Sequence, residues 1–174
     1  MTDLSHLFSP ITIRNMTLKN RAVMAPMGTN LCNPDGTVSD ASVAYLTRRA
    51  MGGPGLIITE IVGVHPSGLA TNTQLSAYDD RFIMGLKRLT DAVHKADRRI
   101  AAQLHHAGRE SLYMLAKGKA IGPSPSPSLI YGIPPREMTK SDIEEIVAAF
   151  GSAAGRAREA GFDAVEIHGA HGYL

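Results

Sequence analysis

The sequence closes on HGAHGY, with His168 and His171 three residues apart and Tyr173 two further on. Two chemistries fit those residue types. The imidazoles could bind a metal. However, Gly169 and Gly172 argue against a helix, so this is not the helical zinc spacing, and no further His or Cys with convincing ligand spacing completes a set. Alternatively, two imidazoles aimed at one oxygen could polarise a carbonyl and stabilise enolate-like charge. Tyr173, a hydroxyl donor of high resting pKa, could then act as general acid. Two polarising donors and a proton donor suit reduction of an activated C=C, with hydride arriving from a bound cofactor. The donor reading is favoured and no metal is expected.

These residues need a strand to present them, and FDAVEI directly precedes them. Three other apolar runs share that character: AVMAPM (Ala22 to Met27), GLIITEIVGV and RIAAQL. The second is a continuous β-branched run of the kind buried on both faces of a parallel sheet. Helical stretches separate them. Ser39-Asp40 precede ASVAYLTRRAMGG, and RFIMGLKRLTDAVHKADRR carries Ile83, Leu86, Leu89, Thr90 and Val93 on one face. Thr139, with Asp142 in the capping-box position, opens DIEEIVAAFGSAAGRAREAG. ITI and MTL around Arg14-Asn15 predict an N-terminal hairpin, and residues 107 to about 138 a long loop over the same domain.

Strand alternating with helix argues a parallel sheet with helices outside it. Each strand ends in chemically able residues, and APMGTN lacks the G-x-G-x-x-G of a doubly wound sheet. A (β/α)8 barrel is therefore expected. The chain supplies the hairpin and about the first four βα units, so residues 1–174 are read as the N-terminal half of one barrel domain.

The 174 residues are 44% hydrophobic and 20% charged with a net charge of +2. No basic stripe suggests nucleic acid. No run approaches the roughly 20 apolar residues of a membrane span. The start lacks the pattern of a signal peptide, and Cys32 is alone. A cytoplasmic protein is expected, and a homo-oligomer is allowed.

Several stretches together resemble the Old Yellow Enzyme family of FMN-dependent NAD(P)H:flavin oxidoreductases, in its enoate and 2,4-dienoyl-CoA reductase branch. They are LFSPITIRNMTLKNRAVMAPM, GGPGLIITE, QLHHAGR, PREMT and EAGFDAVEIHGAHGYL, in family order across nearly the whole chain. The resemblance implies that Ala25, Pro26, Met27 and Gly28 line the flavin ring, that Ile61 touches it, and that Gln103 bonds its pyrimidine edge. It implies that His168 and His171 hold the substrate carbonyl and that Tyr173 protonates the α-carbon. Gly28 stands where some relatives place a flavin-tuning cysteine, and Asn30 where some place a pocket aromatic. The implied activity is reduction of an α,β-unsaturated carbonyl, acid or thioester. FMN is the implied cofactor and NAD(P)H the reductant, with 4Fe-4S and FAD in sequence beyond this chain. An amine-demethylating flavoenzyme of the trimethylamine dehydrogenase type and a non-catalytic half-barrel are the rivals. The family's strand-five arginine and late phosphate loops have no counterpart here, so the isolated chain is expected to hold FMN weakly and be inactive.

Among single residues, Glu60 is expected to form an ion pair at the barrel mouth, and Arg109 to serve structurally beside the site. His94 and the Arg156–Arg158 pair are expected on solvated helix faces. His65 is expected near the site end without touching ligand.

Overall fold

A computed structural model describes residues 3–174; Met1 and Thr2, the head of the stretch read for a signal peptide, lie outside the described residues. After a short turn of helix, α1 (Ser5–Phe8), strands β1 (Ile11–Ile13) and β2 (Met16–Leu18) form the antiparallel hairpin expected from ITI and MTL, pairing Ile11 with Leu18.

The main sheet carries β3 (Val23–Met24), β4 (Leu56–Gly63), β6 (Arg99–His105) and β9 (Ala164–Ile167) as parallel neighbours in chain order. The two-residue β5 (Leu75–Ser76) pairs with the end of β4. Helices α2 (Asp40–Met51), α3 (Ile83–Lys95) and α5 (Lys140–Glu159) fill the connections. A strand order that never reverses is the course of a barrel wall, as the alternation predicted.

Local chemistry sets the helix starts. Ser39 Oγ accepts from the Ser42 amide at 3.1 Å, and Thr139 with Asp142 forms a complete capping box. The long connection after β6 carries only a 3-10 turn at Gly108–Glu110, α4 (Leu112–Leu115), and the paired two-residue strands β7 (Ile121–Gly122) and β8 (Arg136–Glu137).

Alternation along the strands sorts side chains onto two faces. Ile57, Val62 and Val64 of β4 and its end, with Ile100, Ala102 and Leu104 of β6, face the helices, meeting Leu46, Leu86, Leu89, Val93, Ala153 and Ala157 in one core. On the opposite face Leu56 and Ala101 pack on Leu18, so the hairpin covers the end where the strands begin. That leaves the strand C-terminal ends for chemistry. On β9, Val165 and Ile167 are 43% and 68% exposed on the helix-facing side.

The first strand is shorter than the apolar run implied. Only Val23 and Met24 pair with β4, opposite Leu56 and Ile57, after which the chain turns away. His94 is no solvated surface group: its Nε2 lies 2.8 Å from Asp163 Oδ2, and Asp163 also accepts from Arg99 and the Ile100 amide. Arg156 likewise reaches across to Asp80 at 2.6 Å and to the Ala77 carbonyl.

Candidate active site

Strand β9 delivers the terminal motif. The His168 amide continues the sheet by donating to the Leu104 carbonyl at 2.9 Å, which fixes the imidazole against the end of β6. The chain then curls tightly, with His171 at φ 58° and Gly172 at φ 74°. The Tyr173 amide donates to Ala170 O and the Leu174 amide to His106 O, both at 3.2 Å. His171 is one of few non-glycine residues in the left-handed region, where short polar side chains and His are enriched.

Hydrogen bonds settle the state of His168. Its Nδ1 accepts from the Ala170 amide at 3.3 Å, so the proton sits on Nε2, which lies 3.3 Å from His171 Nδ1. Burial, and after it the neighbouring His171, lowers the His168 pKa. The two imidazoles are thus adjacent, with His168 Nε2–H directed at His171 Nδ1, their rings perpendicular with centroids 5.1 Å apart. Tyr173 stands edge-on to His168 at 4.9 Å and to His105 at 4.4 Å. Burial raises its phenol pKa, with Tyr131 and Glu110 adding to the rise, so the hydroxyl stays protonated.

His105 packs behind the motif, against the rings of His168 and Tyr173, a contact not expected from the sequence. It is fully buried, neither ring nitrogen has a partner among the described residues, and burial pushes its pKa down to about 3. The doublet HH at a strand end was its only signal. Its neighbour His106 points the opposite way, as strand alternation requires. His106 Nδ1 accepts from the Gly108 amide, so its Nε2–H donates to Ser67 Oγ at 3.0 Å. Ser67 in turn donates to His65 Nδ1 at 2.7 Å, and His65 Nε2 donates to Glu145 at 3.2 Å. His65 is accordingly tied into structure.

A cleft of about 650 Å³ opens beside Tyr173, walled by Gly28, Asn30, Glu60, Ile61, Gln74 and Tyr131 among others. Three expected site residues, Gly28, Ile61 and Tyr173, meet there. Met27, 62% exposed, borders a separate small cavity with Met24 and Tyr45; Ala25 is exposed and Pro26 half-buried. Ile61, Gln103 and Glu166 sit abreast on three neighbouring strands. The Gln103 side-chain NH2 donates to Glu166 at 2.7 Å, and no donor among the described residues reaches its carbonyl oxygen. Arg109 lies 3.5 Å from Glu110, whose other oxygen accepts from Ser128 at 2.6 Å, so this pair anchors the loop carrying Tyr131.

Glu60 departs from the expected ion pair. A bulge between Ile58 and Ile61 turns it toward the stretch after β3. There it accepts from the Thr29 amide at 2.6 Å, the Thr29 hydroxyl at 3.0 Å, the Asn30 amide at 3.4 Å and the Cys32 thiol at 3.7 Å. The Cys32 thiol is pushed up to about 12, chiefly by burial, so it stays a neutral donor.

The sequence profile of the NADH:flavin oxidoreductase / NADH oxidase family matches residues 6–174. The chain belongs to that family. It is 46% identical to an NADH oxidase of Thermoanaerobacter brockii over its whole length, spanning 27% of that protein. It is 47% identical to an NADPH dehydrogenase of Geobacillus thermodenitrificans, covering 97% of this chain and 49% of that one. Among solved structures, a 2-naphthoyl-CoA reductase in complex with 2-naphthoyl-CoA superposes with a TM-score of 0.93 at 30% identity, covering 99% of this chain and 28% of that one. The old yellow enzyme homologue of Zymomonas mobilis superposes at 0.85 with 32% identity, over 97% of this chain and 49% of its own. The chain thus spans about half or less of the length of these relatives, and its four-strand wall is part of an Old Yellow Enzyme-type barrel.

Proposed function

We propose that this chain forms the substrate-activating wall of an FMN-dependent reductase of α,β-unsaturated carbonyl compounds, with NAD(P)H as reductant. The observation that carries the reading is the placement of Tyr173, a phenol kept protonated, on a cleft whose other wall is Gly28 and Ile61. The residues suit a flavin. Nothing lies within 4 Å of where a Gly28 Cβ would stand, which leaves open backbone for a flat ring. The buried Gln74 Nε2 has no partner among the described residues, and Gln74 borders the same cleft, offering a donor to a polar ring edge.

Ala25 to Gly28, Ile61 and Gln103 would hold FMN, which when bound carries hydride equivalents from NAD(P)H to the substrate β-carbon. On substrate binding, His168 Nε2–H would exchange its His171 Nδ1 partner for the carbonyl oxygen, and the Nε2–H of His171 would be the second donor, stabilising the charge that develops on that oxygen. Tyr173 would give its proton to the α-carbon and recover one from water. The sum is addition of hydride and proton across the C=C. Likeness to the 2-naphthoyl-CoA reductase supports a conjugated acyl thioester as substrate. An iron–sulfur cluster and FAD, where present, would lie in chain outside these residues. The four strands by themselves would bind FMN weakly.

The test is Tyr173→Phe in the intact flavoprotein. NAD(P)H should still bleach the flavin at the wild-type rate, while turnover of an enoyl thioester falls about 10²–10⁴-fold, the usual worth of a general acid. Unchanged turnover would exclude Tyr173 as the proton donor.

A further inference from the structure

The charge of Glu60 is out of balance with its surroundings. The side chain is 7% exposed. Every group that reaches it is a donor, so it is used as an acceptor-only carboxylate. Among the described residues no lysine, arginine or histidine pairs with it within 4.0 Å. A buried anion without a cation is costly, and here backbone amides and small hydroxyl and thiol donors offset the cost. It also borders the cleft with Gly28 and Ile61.

We propose that Glu60 is a positioning residue with a redox role: its carboxylate fixes the Gly28–Asn30 backbone against the cofactor ring and places an uncompensated negative charge beside it, holding the flavin potential low. The inference rests on the flavin-binding reading above. Two consequences follow from the geometry. Gathering the Thr29 and Asn30 amides onto Oε2 sets the path of the chain just after Gly28, which no strand pairing holds, since pairing of β3 ends at Met24. Reduction adds negative charge to the ring, and an anion in a low-dielectric wall opposes that more strongly than one in water.

Position and charge can be separated because the bonds are divided between the two oxygens. Oε2 takes the three loop donors and Oε1 takes the thiol. In Glu60→Gln the amide oxygen can keep the loop donors while the NH2 faces Cys32 Sγ, a weak acceptor. Thr29→Val deletes one loop bond and leaves the charge. Asn30→Asp adds a second negative charge on the cleft wall while its oxygen still accepts from the Thr71 and Thr73 hydroxyls.

The experiment is a midpoint-potential titration of the intact flavin-loaded protein and these three variants, with amide exchange at Thr29 and Asn30 followed in Glu60→Gln and in a fourth variant, Glu60→Ala. Glu60→Gln should shift the potential positive, Asn30→Asp should shift it negative, and Thr29→Val should leave it in place. Exchange at the two amides should stay slow in Glu60→Gln and quicken in Glu60→Ala. An unmoved potential in Glu60→Gln, or shifts of one sign in all three variants, overturns the inference. If Glu60→Gln does not fold, the sign of the Asn30→Asp shift decides. A wild-type protein that takes up no flavin overturns the proposed function and this inference together, whereas bound flavin indifferent to the charge overturns this inference alone.

Discussion

Acid should unfold this protein through two adjacent histidines, and one substitution should remove half the effect. His105 and His106 are fully buried, and burial pushes their pKa values down to about 3 and about 4 from 6.5. In the folded chain both are neutral at pH 5, while in the unfolded chain both are protonated there. The unfolded state therefore binds more protons, and stability is full above pH 6.5 and lost as pH falls toward the folded values. At ~1.4 kcal/mol per pH unit for each group, going from pH 8 to pH 5 costs about 2 kcal/mol per histidine, or about 4 kcal/mol for the pair. That is a large share of the 5–15 kcal/mol typical of a domain. His105→Leu discriminates because it removes one titrating group and no hydrogen bond, both ring nitrogens being unpartnered among the described residues. At pH 8 the variant should be more stable by about 1–3 kcal/mol, the penalty of a buried unsatisfied polar group. Urea unfolding followed by circular dichroism from pH 8 to pH 5 should show the wild type losing about 2 kcal/mol more than His105→Leu over that span. Carboxylate titrations are common to both proteins and cancel in the difference. Parallel pH dependences would show that His105 is solvated or paired, and the account of its pKa would be wrong.

Two further outcomes follow from backbone geometry. A Cβ at Gly68 would stand 2.3 Å from His106 Cδ2, so Gly68→Ala must displace the ring and break its bond to Ser67; it should cost about 1–3 kcal/mol and lower Tm by several degrees by calorimetry. At His171, held at φ 58°, His171→Asn keeps both the left-handed backbone and an N–H donor and should retain most of kcat, whereas His171→Val loses both and should lose about 10²-fold or more in steady-state turnover.

Features that depend on neighbours in sequence were legible from it. The hairpin at Arg14-Asn15, the Ser39 cap, the Thr139–Asp142 capping box and the β-branched run of β4 each carry their physics within a few residues, and each appears where expected. The resemblance extended that reach by naming Gly28, Ile61 and Tyr173, which the cleft brings together. Errors concentrate where a partner comes from far along the chain. His94 reads as solvated because nothing near it announces Asp163, 69 residues on. AVMAPM reads as a six-residue strand by hydrophobicity, yet pairing stops after two residues because the next stretch is drawn to a carboxylate 31 residues away.

That last competition explains why Glu60, singled out in the sequence, was assigned the wrong kind of partner, and why it matters. An acid ending a buried strand suggests a cation, since unlike charges are the commonest compensation. Here the sequence supplies instead a Gly-Thr-Asn segment whose amides are left without ladder partners, because the first strand is too short to use them. The unmade bonds of one strand and the unmet acceptors of the next satisfy each other, through a bulge that turns the side chain sideways. An arginine would have neutralised Glu60 equally well. Amides and a neutral thiol satisfy its hydrogen bonding while leaving its net charge in place, and that residual charge is what the potential titration of Glu60→Gln would detect.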